Sequence, residues 1–242
     1  MKKVIIVGAT SGLGRGIAET YINRGWQVGI AGRRTALLQE LAEGHPDVIC
    51  ETLDVTDTTS CIAALKRLTE NLGGLDLLVL SSGVGRQNAT LDFTLELPAI
   101  ETNVLGWTAI ADWAFSFFSA QGHGHLAAIS SIAALRGLAP APAYSASKAY
   151  QGHYLEALRQ RALASGRPLY VSDIRPGFVD TPLLANPKQF FWVLPPDKAV
   201  RAIVRAIDRR RATATITRRW AFIAPFMRIV PTRLLAKVLV RA

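Results

Sequence analysis

Seven short runs rich in apolar and β-branched residues recur along the chain, separated by longer stretches of helical character, and this alternation leaves few folds open. The runs are Lys3–Val7, Gln27–Ala31, Val48–Thr52, Asp76–Leu80, His125–Ile129, Leu169–Ile174 and Thr213–Thr217. Most are continuously apolar rather than alternating, as expected of strands covered on both faces. Helical segments lie between them at Gly14–Arg24, Thr35–Glu43, Thr58–Leu72, Phe93–Ser119, Ala143–Ala164 and Pro196–Arg209. The order predicts an α/β fold with a seven-stranded parallel, doubly wound sheet, helices on both faces and right-handed crossovers. No linker interrupts the series, so residues 1–217 are read as one domain, with 218–242 as a basic, amphipathic extension of it.

A chain of 242 residues buries about three quarters of its unfolded surface and needs no disulfide or metal to fold. Cys50 and Cys61 have no metal-ligand spacing and read as filler. His123 and His125 flank Gly124 before a strand, but no third ligand stands nearby, so no metal is expected. The opening Met1-Lys2-Lys3 leads into an apolar run that stops at Gly8, too short for a secretory signal, and a cytoplasmic location is expected.

Gly8-Ala9-Thr10-Ser11-Gly12-Leu13-Gly14 follows the first strand and opens the first helix. A glycine turn in this position binds phosphate for physical reasons. Gly8 permits the tight turn, Gly12 lets backbone approach a pyrophosphate, and Gly14 lets helix and strand pack closely. The free N–H groups and the dipole of the helix face the phosphates. Gly8, Thr10, Ser11, Gly12, Leu13 and Gly14 are therefore candidate dinucleotide contacts. The second strand ends Ala31-Gly32-Arg33-Arg34, with no carboxylate for a ribose 2′-hydroxyl. A guanidinium can instead grip a 2′-phosphate, which favours NADP(H), with Arg33 as the better candidate and Arg15 assisting.

Tyr144 and Lys148 stand four residues apart near the start of a long helix and share one face of it. A free phenol has a pKa near 10 and is a poor base at neutral pH. A nearby ammonium, together with a positively charged nicotinamide, would lower it. Ser131, thirteen residues before Tyr144, follows a strand end, where open α/β sheets bind ligands, and its hydroxyl could bond a substrate oxygen. Asn103 lies in an apolar helical stretch and needs a partner, for which a water leading to Lys148 is expected.

Together these motifs resemble the short-chain dehydrogenase/reductase family from Val4 to about Thr217, with further matches at Leu53-Asp54-Val55 and Arg175-Pro176-Gly177. The resemblance implies a Rossmann-type domain and an oxidoreductase interconverting carbonyl and alcohol. Tyr144 would be the general acid/base, with Lys148 lowering its pKa and holding the nicotinamide ribose. Ser131 would orient the carbonyl, and Asn103 would support a water-linked proton relay. It also implies that Asp54 and Val55 border the adenine, that Ser82 and Gly83 lie along the cofactor, and that Pro176, Gly177, Val179 and Thr181 line the nicotinamide. Two positions depart from the family pattern: Val7 stands where threonine is usual, and Ser81-Ser82-Gly83 replaces an asparagine-rich turn.

The segment after Thr181 carries Phe190, Phe191 and Trp192, with Lys188 as its one charge before Asp197, and suggests an apolar, lipid-like small-molecule substrate. Packing of the same segment into the core or against a subunit is an equal alternative. The chain's net charge of +10 resides in the final forty-two residues, which hold eleven Lys/Arg, Arg241 among them, and one acidic residue; the rest is neutral. The tail has no apolar run long enough to span a bilayer. Packing on its own body or a partner, and peripheral contact with an anionic membrane, both fit its composition. No nucleic-acid motif accompanies the charge. The long helices predict a homo-oligomer, dimer or tetramer. A nucleotide-binding regulatory protein without turnover is the competing function.

Overall fold

The computed structural model describes the whole chain except residues 185, 186, 188, 189 and 240–242, so Lys188 and Arg241 lie outside the described residues. Its centre is a seven-stranded parallel sheet in the order β3-β2-β1-β4-β5-β6-β7. The strands are β1 Lys3–Val7, β2 Gln27–Gly32, β3 Val48–Thr52, β4 Leu77–Leu80, β5 Gly124–Ile129, β6 Leu169–Pro176 and β7 Thr213–Ile216. Helices α1 Gly12–Ile22, α2 Thr35–Ala42, α3 Thr58–Leu72, α4 Phe93–Ile100, α5 Trp107–Gln121, α6 Pro142–Ala164 and α7 Pro196–Asp208 connect them.

Strand periodicity builds two cores. On β1, Ile5 and Val7 face a layer containing Leu65, Leu68, Trp107 and Phe118, while Val4 and Ile6 face a layer containing Ile17, Tyr21, Ile203 and Val204. Both sides of β1 are therefore dry, which is why its sequence is unbroken apolar. Asp57 caps α3 by accepting from Ser60 N at 3.1 Å, and Gly73 at φ +67 ends it. Strand order reverses between β1 and β4, which opens a crevice at their carboxyl ends.

The stretch expected as one helix over Phe93–Ser119 is three pieces, with a π-helical segment, Glu101–Gly106, between α4 and α5. Pro98 inside α4 withholds one helix N–H, and π segments concentrate at functional sites. This one carries Asn103. The C-terminal extension forms two helices, α8 Arg218–Ile229 and α9 Thr232–Leu239. They are tied to the body by the buried Trp220 and by Arg136, which donates to Val230 O at 3.0 Å and Thr232 Oγ1 at 3.2 Å. Phe222, Phe226, Ile229 and Leu234 remain exposed. No helix among the described residues is long and apolar enough to cross a membrane.

Candidate active site

Three segments meet at the crevice, beginning with the glycine turn. Gly8 has φ +91, and a Cβ on it would lie 2.6 Å from Ser82 N. A Cβ on Gly14 would lie 2.1 Å from Gly8 O, so only glycine lets α1 start this close to β1. Thr10, Ser11, Gly12 and Leu13 complete the loop into the first turn of α1. Thr181, from the segment after β6, closes over it, with its side chain 3.4 Å from the Cβ position of Gly12.

The third segment follows β4. Ser82 backs Gly8, and its buried hydroxyl has no hydrogen-bond partner among the described residues. Gly83 lies against Lys148 Nζ and Asn103 Oδ1, which would be 3.3 and 3.4 Å from a Cβ there. A buried orphan hydroxyl beside a backbone-lined cradle at a helix N-terminus fits a dinucleotide phosphate. Asp54 accepts from Thr56 N and Oγ1 at 3.0 and 2.8 Å, and Val55 is buried beside it at the carboxyl end of β3.

The three arginines near the turn have different partners. Arg33 is exposed and lies 3.9 Å from the carboxylate of Asp54. Arg15 is held by two carboxylates, Glu19 at 3.0 Å and Glu40 at 2.7 Å, which would repel a phosphate. Arg34 donates to Thr10 Oγ1 at 2.6 Å and Ser11 Oγ at 2.7 Å, over the turn.

The candidate catalytic residues stand on the other wall. Ser131, just past β5, caps a short 3-10 turn, Ile132–Leu135, and its Oγ accepts from Ala133 N at 3.0 Å. Tyr144 sits in the first turn of α6, half-buried. Burial raises its phenol above the ordinary value, and a hydrogen bond with Ser131 acts in the opposite direction. The expected lowering by Lys148 is thus not the state of the protein alone. Lys148 is itself buried, 5.9 Å from the Tyr144 ring centre, and pushed down to about 8 by burial, against the opposing field of Asp173. Its ammonium donates to Ile129 O at 3.1 Å and Gln151 Oε1 at 3.0 Å.

Asn103 is also placed differently. Its side chain accepts from Val84 N at 2.9 Å and donates to Val84 O at 2.7 Å and Ser147 Oγ at 3.0 Å. Its backbone carbonyl accepts from Gln151 Nε2 at 2.9 Å. The Gln151 amide thus bridges Asn103 and Lys148, the two residues between which a water was expected.

Pro176 ends β6, and Gly177 follows it beneath Trp220, where a Cβ would be 2.1 Å from the indole Nε1. That buried N–H has no partner among the described residues. Val179 pairs with Leu194, which accepts from Asp180 N at 3.0 Å. Around this loop Phe178, Phe190, Phe191, Trp192 and Trp220 pack together, with Phe178 4.6 Å from Phe190 and 5.5 Å from Trp220 between ring centres. Phe191 and Trp192 stay exposed, so the cluster is only partly absorbed by its own packing.

The histidines have separate fates. His123 lies 3.8 Å from Asp76, and the buried His125 approaches Ser172 Oγ at 2.8 Å and is pushed down to about 4 by burial. Among the described residues no group of three or more His, Cys, Asp or Glu could hold a metal. Cys61 is buried and Cys50 half-buried. Sequence reading ranked Arg34 behind Arg33 and did not single out Gln151 or the indole of Trp220, both of which lie beside the candidate site. Gln151 carried one signal, since it lies on the Tyr144/Lys148 face of α6, seven residues beyond Tyr144.

Comparison with known proteins gives consistent results. A family described as short chain dehydrogenase matches residues 2–190. An uncharacterised oxidoreductase of Myxococcus xanthus is 36% identical over 245 residues, covering 98% of this chain and 92% of its own. The cis-4-hydroxycyclohexanecarboxylate dehydrogenase of Sinomonas cyclohexanicum is 30% identical over 235 residues, covering 91% and 88%. Among solved structures, a short-chain dehydrogenase from Sphingobium yanoikuyae in complex with NADPH superposes with a TM-score of 0.81 at 21% identity, covering 93% of this chain and 92% of its own.

Proposed function

The chain belongs to the short-chain dehydrogenase family of oxidoreductases, and from that premise we propose that it reduces the carbonyl of an apolar, ring-bearing small molecule with NADPH. One observation carries this reading: Ser131, Tyr144 and Lys148 converge beside the Gly8–Gly14 cradle at the carboxyl ends of the strands. When bound, the dinucleotide supplies the hydride. Ser131 hydrogen-bonds the substrate oxygen, and Tyr144 delivers its phenolic proton to that oxygen as charge develops there. A phenol raised by burial is protonated at neutral pH, which suits it to act as an acid and so favours reduction. Lys148 would hold the ribose and stabilise the phenolate left behind.

The aromatic loop supports an apolar ring as substrate, and the alicyclic substrate in the name of the Sinomonas relative points the same way. Turnover of NADPH with a panel of cyclic and aryl ketones tests the reading; no oxidation with any of them would remove it and favour a binding protein without turnover. The exposed Leu97, Ile100, Leu105 and Tyr150 on α4, the π segment and α6 suit contact with a second copy.

For NADP(H), Arg33 and Arg34 are the proposed grip on the 2′-phosphate, favoured by the NADPH in the Sphingobium structure. A charged hydrogen bond contributes about 1.5–3 kcal/mol, so replacing both arginines with alanine should raise KM for NADPH at least tenfold. KM for NADH should change less than threefold. A parallel rise for both cofactors would count against the assignment.

Peripheral membrane contact is a second reading, favoured by one observation: Phe222, Phe226 and Ile229 are exposed on α8 among Arg218, Arg219 and Arg228. Anionic vesicles of phosphatidylglycerol should then pellet the protein, vesicles of phosphatidylcholine should not, and each basic residue would contribute about 1 kcal/mol. Equal pelleting of full-length and Arg218-truncated protein would rule the tail out.

A further inference from the structure

We propose that Gln151 is a positioning residue for Lys148, whose amide stands in for a bridging water and closes the proton path between Lys148 and Asn103. The inference rests on the function proposed above for Tyr144 and Lys148. Gln151 is fully buried on α6, one turn beyond Lys148, and both ends of its amide are used. Its Oε1 accepts from Lys148 Nζ at 3.0 Å, and its Nε2 donates to the Asn103 carbonyl at 2.9 Å. An amide that donates at one end and accepts at the other has a single orientation here, because Lys148 can only donate and a carbonyl can only accept.

Two consequences follow from the chemistry of the amide. A water in this position could accept a proton from one neighbour while passing one to the other. A carboxamide conducts no proton at neutral pH, so a relay running from Tyr144 through Lys148 ends at Lys148. The proton that Tyr144 loses in reduction must return from the mouth of the crevice. The amide also fixes the ammonium. Lys148 is faced by Tyr144 on its own helix, by the Ile129 carbonyl of β5, by the Asn103 segment, and by Asp173 of β6, whose charge is shared with Arg175. Asp173 is the acidic group opposing the burial of Lys148, and Arg175 Nε holds it at 2.6 Å. Gln151 Oε1 is thus one of two neutral acceptors on which the buried ammonium depends.

Two substitutions and one measurement free of turnover test this. Gln151→Met fills the space without a hydrogen bond; Gln151→Ala leaves room for water to rejoin Lys148 to Asn103. In cofactor-free protein, the lysine side-chain ¹⁵N resonance, assigned by its loss in Lys148→Met, should titrate near 8. In Gln151→Met the midpoint should fall by about one unit, the tenfold weight of one lost charge-assisted hydrogen bond, and in Gln151→Ala it should return toward the wild-type value. In turnover, Gln151→Met should lose about tenfold in kcat with its basic pH limb moved down and KM for the ketone within twofold, and Gln151→Ala should recover most of kcat. An unshifted titration in Gln151→Met, or equal losses in both variants with unmoved limbs, overturns the inference. A shifted titration in Gln151→Met, with wild-type protein that reduces no ketone, would overturn the proposed function alone.

Discussion

Tyr144→Phe should lower kcat for ketone reduction by about 10²–10⁴-fold, the usual contribution of a positioned general acid, while leaving the fold intact. The substitution removes one oxygen from a half-buried ring and keeps its packing against the loop after β4. Burial raises the phenol while the Ser131 hydroxyl acts on it in the opposite direction, and the proposed role has it give its proton to an oxygen bound between the two. The loss should fall on kcat and kcat/KM together, since proton transfer belongs to the transition state rather than to binding. Steady-state NADPH oxidation with thermal unfolding alongside measures both. A variant that keeps a third of its rate would take the acid role away from Tyr144.

Trp220→Ala carries the largest expected effect on stability, on the order of 3–5 kcal/mol. The indole is buried against Gly177 and the rings of Phe178, Phe191 and Trp192, and it is the only buried residue of α8. Its loss leaves a cavity where the extension meets the loop after β6. For a chain of this size the midpoint of thermal unfolding should drop by roughly 6–20 °C. KM for an apolar ketone should rise, because the ring cluster beside the crevice loses its anchor. An unchanged midpoint would mean that α8 adds nothing to the body and that Arg136 alone holds the tail.

These two residues differ in how far they could be read in advance. Tyr144 and Lys148 form a pair by helical spacing, and Ser131 and the glycine turn are placed by the ends of strands that announce themselves as apolar runs. The parallel sheet followed from the same local pattern, and the boundaries moved by only a residue or two. Trp220 gave no such sign: in the chain it is one aromatic among arginines, and only the folded chain sets it on Gly177, forty-three residues earlier. Arg34 and Arg15 show the same division. Both are basic and close to the turn, but Glu19 and Glu40 claim Arg15, whereas Arg34 reaches Thr10 and Ser11.

The sequence by itself determined the doubly wound sheet, the glycine turn after β1, the tyrosine–lysine pair and the concentration of positive charge in the tail. Each depends on spacing along a single strand, turn or helix, where geometry is local and repeats every two or 3.6 residues. Only the tertiary structure decided that the helix over Phe93–Ser119 breaks into a π segment, that Asn103 bonds Val84, that Gln151 stands between Asn103 and Lys148, and that Trp220 roofs Gly177. Those contacts join residues from separate elements, and what sets them is the competition of buried donors and acceptors for partners once water has been excluded.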